Sequence, residues 1–286
     1  MPSVNLEQRA LVNVTGEDAE KLLQNVITTD LDALKPRELK PGALLTPQGK
    51  ILFDFLVSRI ENGIRIEIAE PSAADLVKRL VLYRLRSKAD ISVENESPVS
   101  VCWERDSASS EIDSSLIVGD TRFPARLNVR RIYAASKASA SLQDWDSLRI
   151  AHGAAESPRD FALSDAFPHD INLDQTGGVA FTKGCFIGQE VVSRMQHRGT
   201  ARRRILIASS ETALPDTGTP ITANGREIGT LGTVVGTNGL ALARIDRVKD
   251  AMDSKTPILA GDIPVTLSIP PEVRFTFPET EGSDAG

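Results

Sequence analysis

The chain is poor in residues that bind metals or form cross-links. Its 286 residues include only two cysteines, Cys102 and Cys185, and three histidines. Two thiols cannot supply the four cysteine ligands of an ordinary iron–sulfur cluster, so we do not expect the chain to hold one alone, although a bridging or transient contact stays open. No His-x-x-x-His or Cys-x-x-Cys spacing occurs. We therefore predict no resident metal site.

Long hydrophobic runs and an excess of positive charge are also missing. No apolar stretch approaches the roughly 20 residues that a membrane span needs, and residues 1–7 contain no basic segment before an apolar run. The net charge of −6 argues against bulk attraction to nucleic acid or anionic membrane, unless a local basic patch supplies it. We therefore expect a soluble, cytoplasmic protein without a membrane partner.

Hydrophobic periodicity predicts a mixed α+β chain of two or three domains. After Arg204, β-branched runs alternate with Asn224-Gly225 and Asn238-Gly239, which predicts turns in a small antiparallel barrel or sandwich. Residues 105–115 are expected to form a loop, and the acidic tail from Pro278 to be disordered. Helices are predicted over 15–27, 72–86, from near Asp144 and over 189–195, and strands over 51–57, 64–68 and 99–103.

The most specific local pattern surrounds Cys185, in Lys183-Gly184-Cys185-Phe186-Ile187-Gly188-Gln189-Glu190. The glycines permit a tight turn, and a helix is predicted from Gln189. A thiol just before a helix N-terminus, with Lys183 close by in sequence, experiences a positive potential, so the pattern predicts a lowered pKa for Cys185. The alternative is a small buried hydrophobic residue, which is our interpretation of Cys102 in its apolar strand.

Two further side chains and one segment are functional candidates. Asp54 interrupts an apolar run, so its carboxylate must be paired, hydrogen-bonded or facing a cavity. Trp145 can stack on a flat heterocycle, but a buried tryptophan more often belongs to the ordinary core, which is the default interpretation. Residues 194–204 contain five arginines. They would suit an anionic ligand tail, RNA or an acidic partner, with a solvated helix end and linker as the alternative.

The pattern around Cys185, followed by Arg198-Gly199, resembles the signature of the YgfZ-type folate-binding proteins. These belong to the superfamily of aminomethyltransferase, the glycine-cleavage T-protein. Weaker similarities occur in the expected order at residues 10–16, 48–54 and 167–174. The resemblance implies a three-domain, ring-like α+β fold with folate in its central hole and a small C-terminal antiparallel β-barrel. The implied divisions are residues 1–46 with 140–200, 47–139, 201–277 and a disordered tail at 278–286.

The resemblance also implies site residues. The catalytic candidates are Cys185, Asp54 and Asp170. T-proteins carry an acidic pair in the central strand and an Asp at the position of Cys185, so this chain departs from the pattern that ordinary aminomethyl transfer needs. Arg9 stands where relatives carry Trp, although an arginine can also stack or bind a carboxylate. Tetrahydrofolate, or a one-carbon derivative of it, would be bound by Arg9, Trp145, Lys183, Gln189 and Arg194.

Three functions are compatible with the resemblance. The favoured one is a tetrahydrofolate-binding protein that assists iron–sulfur protein assembly, with client or assembly proteins as partners. The second is a folate-dependent aminomethyltransferase that uses Asp54 and Asp170, which leaves enzymatic activity open. The third is a tRNA-binding modification factor; its link to tRNA modification can be indirect, because tRNA methylthiolation enzymes contain iron–sulfur clusters. Direct tRNA binding is the least favoured of the three.

Overall fold

The computed structural model describes residues 2–94, 98–104 and 113–278. Its five α-helices are α1 (Ala19–Gln24), α2 (Ala73–Arg84), α3 (Leu142–Ala151), α4 (Gln189–Arg198) and α5 (Ile245–Asp253). The strands before α3 are β1 (Ser3–Asn5), β2 (Arg9–Thr15), β3 (Glu38–Leu45), β4 (Ile51–Ile60), β5 (Gly63–Ala69), β6 (Asp90–Glu94), β7 (Ser100–Cys102), β8 (Ile117–Asp120) and β9 (Arg130–Ile132). Those after α4 are β10 (Arg203–Ser209), β11 (Pro220–Ala223), β12 (Arg226–Val235), β13 (Asn238–Arg244), β14 (Ile258–Ala260), β15 (Ile263–Pro264) and β16 (Thr266–Ser268).

The first nine strands form one sheet in the order β1-β7-β9-β8-β3-β4-β5-β2-β6. All neighbours are antiparallel except β3 and β8. The hairpin predicted at Asn62-Gly63 is present, but its two-residue loop is Glu61-Asn62, because Gly63 begins β5 and pairs with Ile60. Strand β5 pairs along its whole length with β2. One buried apolar cluster packs α1 and α2 against β2, β4 and β5, and a second surrounds Trp145. The sheet thus interleaves strands that are far apart in the sequence.

The last seven strands form the C-terminal barrel, in the order β15-β14-β11-β12-β13-β10-β16. Its core is a separate buried cluster that includes α5, a helix the sequence patterns did not predict. The predicted turn at Asn238-Gly239 is wrong. Both residues lie in β13, and the two-residue loop from β12 is Gly236-Thr237, because Gly236 takes a positive φ of 59° and Val235 pairs with Asn238.

Helices α1 and α3 begin at positions other than those predicted. The first helix begins later than expected because Thr15 still belongs to β2 and Gly16 turns the chain with φ 108°. Helix α3 begins with a reciprocal cap in which the Ser141 hydroxyl accepts from the Asp144 N–H and the Asp144 carboxylate accepts from the Ser141 N–H. Of the predicted loop and tail, residues 105–112 and 279–286 lie outside the described residues. Within the described chain, no helix is long and apolar enough to cross a membrane.

Candidate functional site

A narrow, charged cavity lies where β3 and β4 meet the loop after α3. It encloses about 30 Å³, which is room for about one or two water molecules. Apolar parts of Phe55, Ile171 and Leu173 close it. Its polar lining consists of Arg9, Asp54, Arg122, His152 and Glu156.

Asp54 is held in this cavity by the loop that follows α3. The Ser157 N–H donates to its carboxylate at 3.3 Å, and the Ser157 hydroxyl donates to the other oxygen. Burial raises the pKa of Asp54 and outweighs the opposing effects of these bonds and of the Arg9 charge. Asp54 is therefore a cavity carboxyl that takes up a proton more readily than an exposed aspartate does.

Behind the cavity, Glu67 is the centre of a fully buried ion cluster. Its carboxylate accepts from Arg9 Nε at 3.0 Å, from Arg131 Nε at 3.1 Å and from the Tyr133 hydroxyl at 3.3 Å. Glu67 and Arg131 are both 0% exposed. Burial and the Glu67 charge together hold the pKa of Tyr133 well above its ordinary value. Arg9 thus has a buried structural partner in Glu67, and its predicted folate contact stays a prediction.

A second set of charges connects this cluster to the cavity. Arg122 donates to Asp120 at 2.8 Å and to Glu156 at 3.0 Å, and Arg131 lies 3.4 Å from Asp120. Burial alone would raise the pKa of Glu156, but the charges of Arg149, Arg9, Arg122 and Arg131 outweigh it and hold the pKa well below its usual range. The cavity therefore contains a permanent carboxylate, Glu156, close to a more easily protonated one, Asp54.

Trp145 occupies the core beside these charges. It is 1% exposed, with Phe123 and Trp103 at ring-centroid distances of 5.5 and 5.9 Å. The Arg131 guanidinium lies 4.9 Å from its ring centroid. This is the core placement that the sequence left open, and Trp145 is not among the residues that line the cavity. Its predicted folate contact stays a prediction, and it would require the surrounding core to open.

The Cys185 segment lies elsewhere, at the start of α4. Cys185 is an exposed free thiol, whereas Cys102 is 1% exposed. Gly188 caps α4 with φ 78°, and a β-carbon there would lie 2.6 Å from the Thr46 carbonyl oxygen and 3.0 Å from Gly49 Cα. Only glycine fits this contact. The close approach fixes the start of α4 against the β3–β4 turn and leaves Cys185 in solvent.

Lys183 points away from solvent into the loop after α1. Its ammonium donates to the carbonyl oxygens of Thr29 at 2.7 Å and Ile27 at 2.9 Å. Burial lowers the pKa of Lys183 to about 8, against the opposing charges of Asp30 and Asp32. Lys183 therefore anchors the segment that carries Cys185 to the first helical region.

The other predicted site residues do not converge on the cavity. Asp170 is 2% exposed and accepts from Arg203 at 2.7 Å and from the Phe167 N–H at 2.9 Å. Burial raises its pKa although Arg203 opposes this. Gln189 begins α4, and Arg194, on the exposed side of the same helix, pairs with Glu190. The structure thus joins Arg9 with Asp54, groups Lys183, Cys185, Gln189 and Arg194 along one segment, and separates Asp170 from both sets.

A folate fits the charges of the cavity but not its volume. Arg9 and Arg122 match the carboxylates of a folate tail, and Asp54 and Glu156 match the amine donors of a pterin. Pockets for ligands of this size normally offer about 300–1,000 Å³, far more than the cavity encloses. Arg9 also lines a neighbouring groove of about 700 Å³, with Leu6 and Ala73. A folate would therefore occupy that groove, or the cavity would have to widen.

The sequence patterns missed most of the cavity residues. No recognised motif contains Glu156, Arg122 or His152. The His152 Nδ1 atom is hydrogen-bonded at 2.7 Å to Oε1 of Glu272, which lies in the C-terminal segment. In β5, Arg65 and Glu67 alternate with isoleucines, a pattern that does not distinguish buried charges from solvated ones. Residues 194–204 also offer fewer unpaired arginines to a ligand than their composition suggested, because Arg203 pairs with Asp170 and Arg204 with Asp174.

Comparisons with known proteins agree with this architecture. Residues 202–275 match the family described as CAF17, C-terminal beta-barrel domain. The chain is 29% identical to the iron-sulfur cluster assembly factor IBA57 homolog, mitochondrial, of Pyricularia oryzae, over 86% of this chain and 72% of that protein. It is 27% identical to the human iron-sulfur cluster assembly factor IBA57, mitochondrial, over 91% of this chain and 83% of that protein.

One solved structure gives the fold. The glycine cleavage system aminomethyltransferase T from Bartonella henselae matches 95% of this chain and 86% of its own, with a TM-score of 0.70 and 14% identity. The predicted cytoplasmic location is wrong by the sequence comparison, because the relatives are named as mitochondrial proteins. The narrower YgfZ assignment stays a prediction. The predicted fold class is confirmed: the chain is similar to IBA57 proteins and has the aminomethyltransferase fold with a CAF17-type C-terminal β-barrel.

Proposed function

We propose that this protein assists the assembly of iron–sulfur proteins and that Cys185 makes a transient contact with the cluster, its sulfur or a client. The observation that carries the proposal is the exposed Cys185 thiol at the head of α4, in a chain similar over most of its length to iron–sulfur cluster assembly factors.

The ligand count makes this an assisting role. Iron–sulfur clusters are ordinarily held by four protein ligands, mostly cysteine thiolates. Cys185 is the single exposed thiol of the two in the sequence, and Cys102 is enclosed in β7. A cluster that contacts Cys185 must therefore take its remaining ligands from another protein or a small thiol.

The test is complementation of cells that lack their own homologue, followed by assays of their iron–sulfur enzymes. We expect wild type and Cys102→Ala to restore these activities and Cys185→Ala to fail, at equal protein levels. The Cys102 variant is the matched control, because it removes a thiol that cannot reach a partner. Full rescue by Cys185→Ala would overturn the role given to this thiol.

We also propose that the protein binds tetrahydrofolate at the charged cavity and its neighbouring groove. The support is the aminomethyltransferase fold together with the charges of Arg9, Asp54 and Glu156, which match the polar groups of a folate. Binding should change tryptophan fluorescence, since Trp145 packs against Arg131 of the same ion cluster.

A tetrahydrofolate titration tests this second proposal independently of the first. Trp145→Phe should abolish the fluorescence change if Trp145 reports on the ligand, whereas Trp103→Phe, its neighbour, should retain it. Calorimetry on the same variants separates loss of signal from loss of binding. If the wild type binds no tetrahydrofolate, the folate proposal is wrong and the assembly proposal is unaffected.

Aminomethyl transfer receives less support from the geometry. The reaction would need Asp170 near Asp54, but Asp170 is paired with Arg203 and does not line the cavity. The domain boundaries implied by the resemblance are likewise a proposal. Limited proteolysis between residues 200 and 203 should release a folded barrel if the boundary between residues 200 and 201 is correct.

A further inference from the structure

The end of α2 exposes an unusual group of apolar side chains. Leu85 is 87% exposed, Leu82 is 65% exposed and Val81 is 40% exposed. Three of the five large hydrophobic residues that are exposed in the described chain therefore lie within five consecutive positions. We call residues 77–88 the basic tip.

Packing of α2 does not explain this exposure. The buried side of the helix is already formed by Leu76 and Leu80, both 0% exposed. Leu82 follows Leu80 by two residues, or about 200° around the helix, so it points away from the core. The group is thus a second apolar face that the fold leaves uncovered.

The backbone adds a second observation at the same place. Leu85 ends the helix with a φ of 46°. Its ψ of −108° lies outside the left-handed helical conformation in which glycine or asparagine usually ends a helix, and a positive φ with this ψ is strained for a residue that has a β-carbon. Leu85 is both strained and exposed, so neither helix termination nor core packing accounts for a leucine at this position.

The charge around these residues is strongly positive. The basic tip contains five cations and no acidic residue, whereas the chain as a whole has a net charge of −6. Among the described residues, Lys78 and Lys88 have exposed carboxylates beside them, at Asp75 and Glu17. The tip is therefore a local basic patch with protruding leucines in an otherwise acidic protein.

We propose that the basic tip docks the protein on an anionic lipid surface, with Leu82 and Leu85 inserted among the acyl chains and the cations against the lipid phosphates. Apolar insertion and electrostatic attraction together give reversible binding where neither suffices alone. A typical protein interface needs about 800 Å² from each partner, which a protruding helix end does not offer. A fluid surface does not require such shape complementarity. The proposal is independent of folate and of cluster assembly.

Flotation of the full chain with lipid vesicles tests the proposal. We expect the wild type to bind vesicles of equal parts phosphatidylcholine and phosphatidylglycerol, and not pure phosphatidylcholine vesicles. Raising NaCl from about 0.1 M to about 1 M shortens the screening length from about 10 Å to about 3 Å, and it should release the protein. Arg79→Gln with Arg86→Gln should weaken binding about 25-fold, since each cation contributes about fivefold.

Matched variants separate the tip from general charge effects. Leu82→Glu with Leu85→Glu should abolish flotation, whereas Leu142→Glu with Met252→Glu, which changes charge equally at exposed apolar sites elsewhere, should retain most of it. Unchanged thermal melting would confirm that both pairs are folded. Absence of wild-type binding, or equal loss in both pairs, would overturn the proposal. If only a protein co-purifies through the leucines, the tip is a protein interface and the lipid proposal is wrong.

Discussion

Replacement of Glu67 by glutamine tests whether the buried ion cluster holds the first nine strands together. The substitution preserves the shape of the side chain and removes its charge. It also turns an amide donor toward Arg9 or Arg131, which are themselves donors. The one acceptor oxygen of glutamine cannot replace both carboxylate oxygens, so at least one arginine loses its partner; Arg131 would otherwise rely on the longer contacts to Asp120, at 3.4 Å, and Glu156, at 3.8 Å.

The expected cost follows from the contacts that are lost. Glu67 accepts three hydrogen bonds at zero exposure, and removing one partner of such a buried ion pair typically costs about 3–5 kcal/mol. An exposed pair is worth far less: Glu190 with Arg194, four residues apart on α4, contributes about 0.3–0.5 kcal/mol. Glu190→Gln is therefore the matched control.

Urea denaturation followed by circular dichroism measures both free energies of unfolding. We expect Glu67→Gln to lose at least about 3 kcal/mol and Glu190→Gln to lose less than about 0.5 kcal/mol. The double variant Glu67→Gln with Arg131→Met should lose less than the sum of the single losses, because the two residues interact directly. A loss below about 1 kcal/mol for Glu67→Gln would refute the assigned role.

The remaining predictions concern Glu156, Lys183 and Gly188. The pKa of Glu156 is lowered in the fold, so the free energy of unfolding of the wild type should exceed that of Glu156→Gln by about 3–5 kcal/mol at neutral pH. Denaturation measured across pH should show this difference shrinking as pH falls below 4.5. The pKa of Lys183 is lowered to about 8 from 10.5. Between these pH values the unfolded chain binds more protons than the folded chain. The free energy of unfolding of the wild type, relative to that of Lys183→Met, should therefore rise with pH in that window. If the difference in unfolding free energy between wild type and either variant did not change with pH, the pKa shift assigned to that residue would be wrong. Gly188→Ala should destabilise the protein more than Gly177→Ala does. Gly177 has the same φ of 78°, but no atom lies within 4 Å of the methyl group that alanine would add there. Gly188→Ala should also change the rate at which Cys185 reacts with a thiol reagent. Equal stability losses would show that contact with Thr46 is unimportant.

The fold could be predicted where local chemistry and global packing agree. Asn224-Gly225 forms the predicted turn from β11 to β12, with φ values of 49° and 70°, and the β-branched runs after Arg204 form barrel strands. The turn at Asn238-Gly239 failed because Gly236, two positions earlier, satisfied the hairpin first. Local turn signals therefore identified the hairpin, but they could not choose between two neighbouring glycines.

The buried charges could not be predicted from the same patterns. In β5, Arg65 and Glu67 alternate with isoleucines, which is typical of a strand with one face in solvent. In the structure a second layer covers that face, and Glu67 pairs with Arg131 from a strand 64 residues later. Only the tertiary arrangement decides whether an alternating charge is solvated or paired. The same holds for Trp145, whose core position depends on Phe123 and Trp103.

The two chemical features of the protein, the charged cavity and the exposed thiol, are connected through one hairpin. Strand β4 carries Asp54 on the cavity side, and the turn before it contacts Gly188 at the start of α4. Since Gly188 fits without any space to spare, the start of α4 packs directly on the hairpin that carries Asp54. Lys183 holds the other end of that segment to the carbonyl oxygens of Ile27 and Thr29. The thiol is thus exposed on a short segment that is fixed at both ends, one of them against the hairpin that lines the cavity.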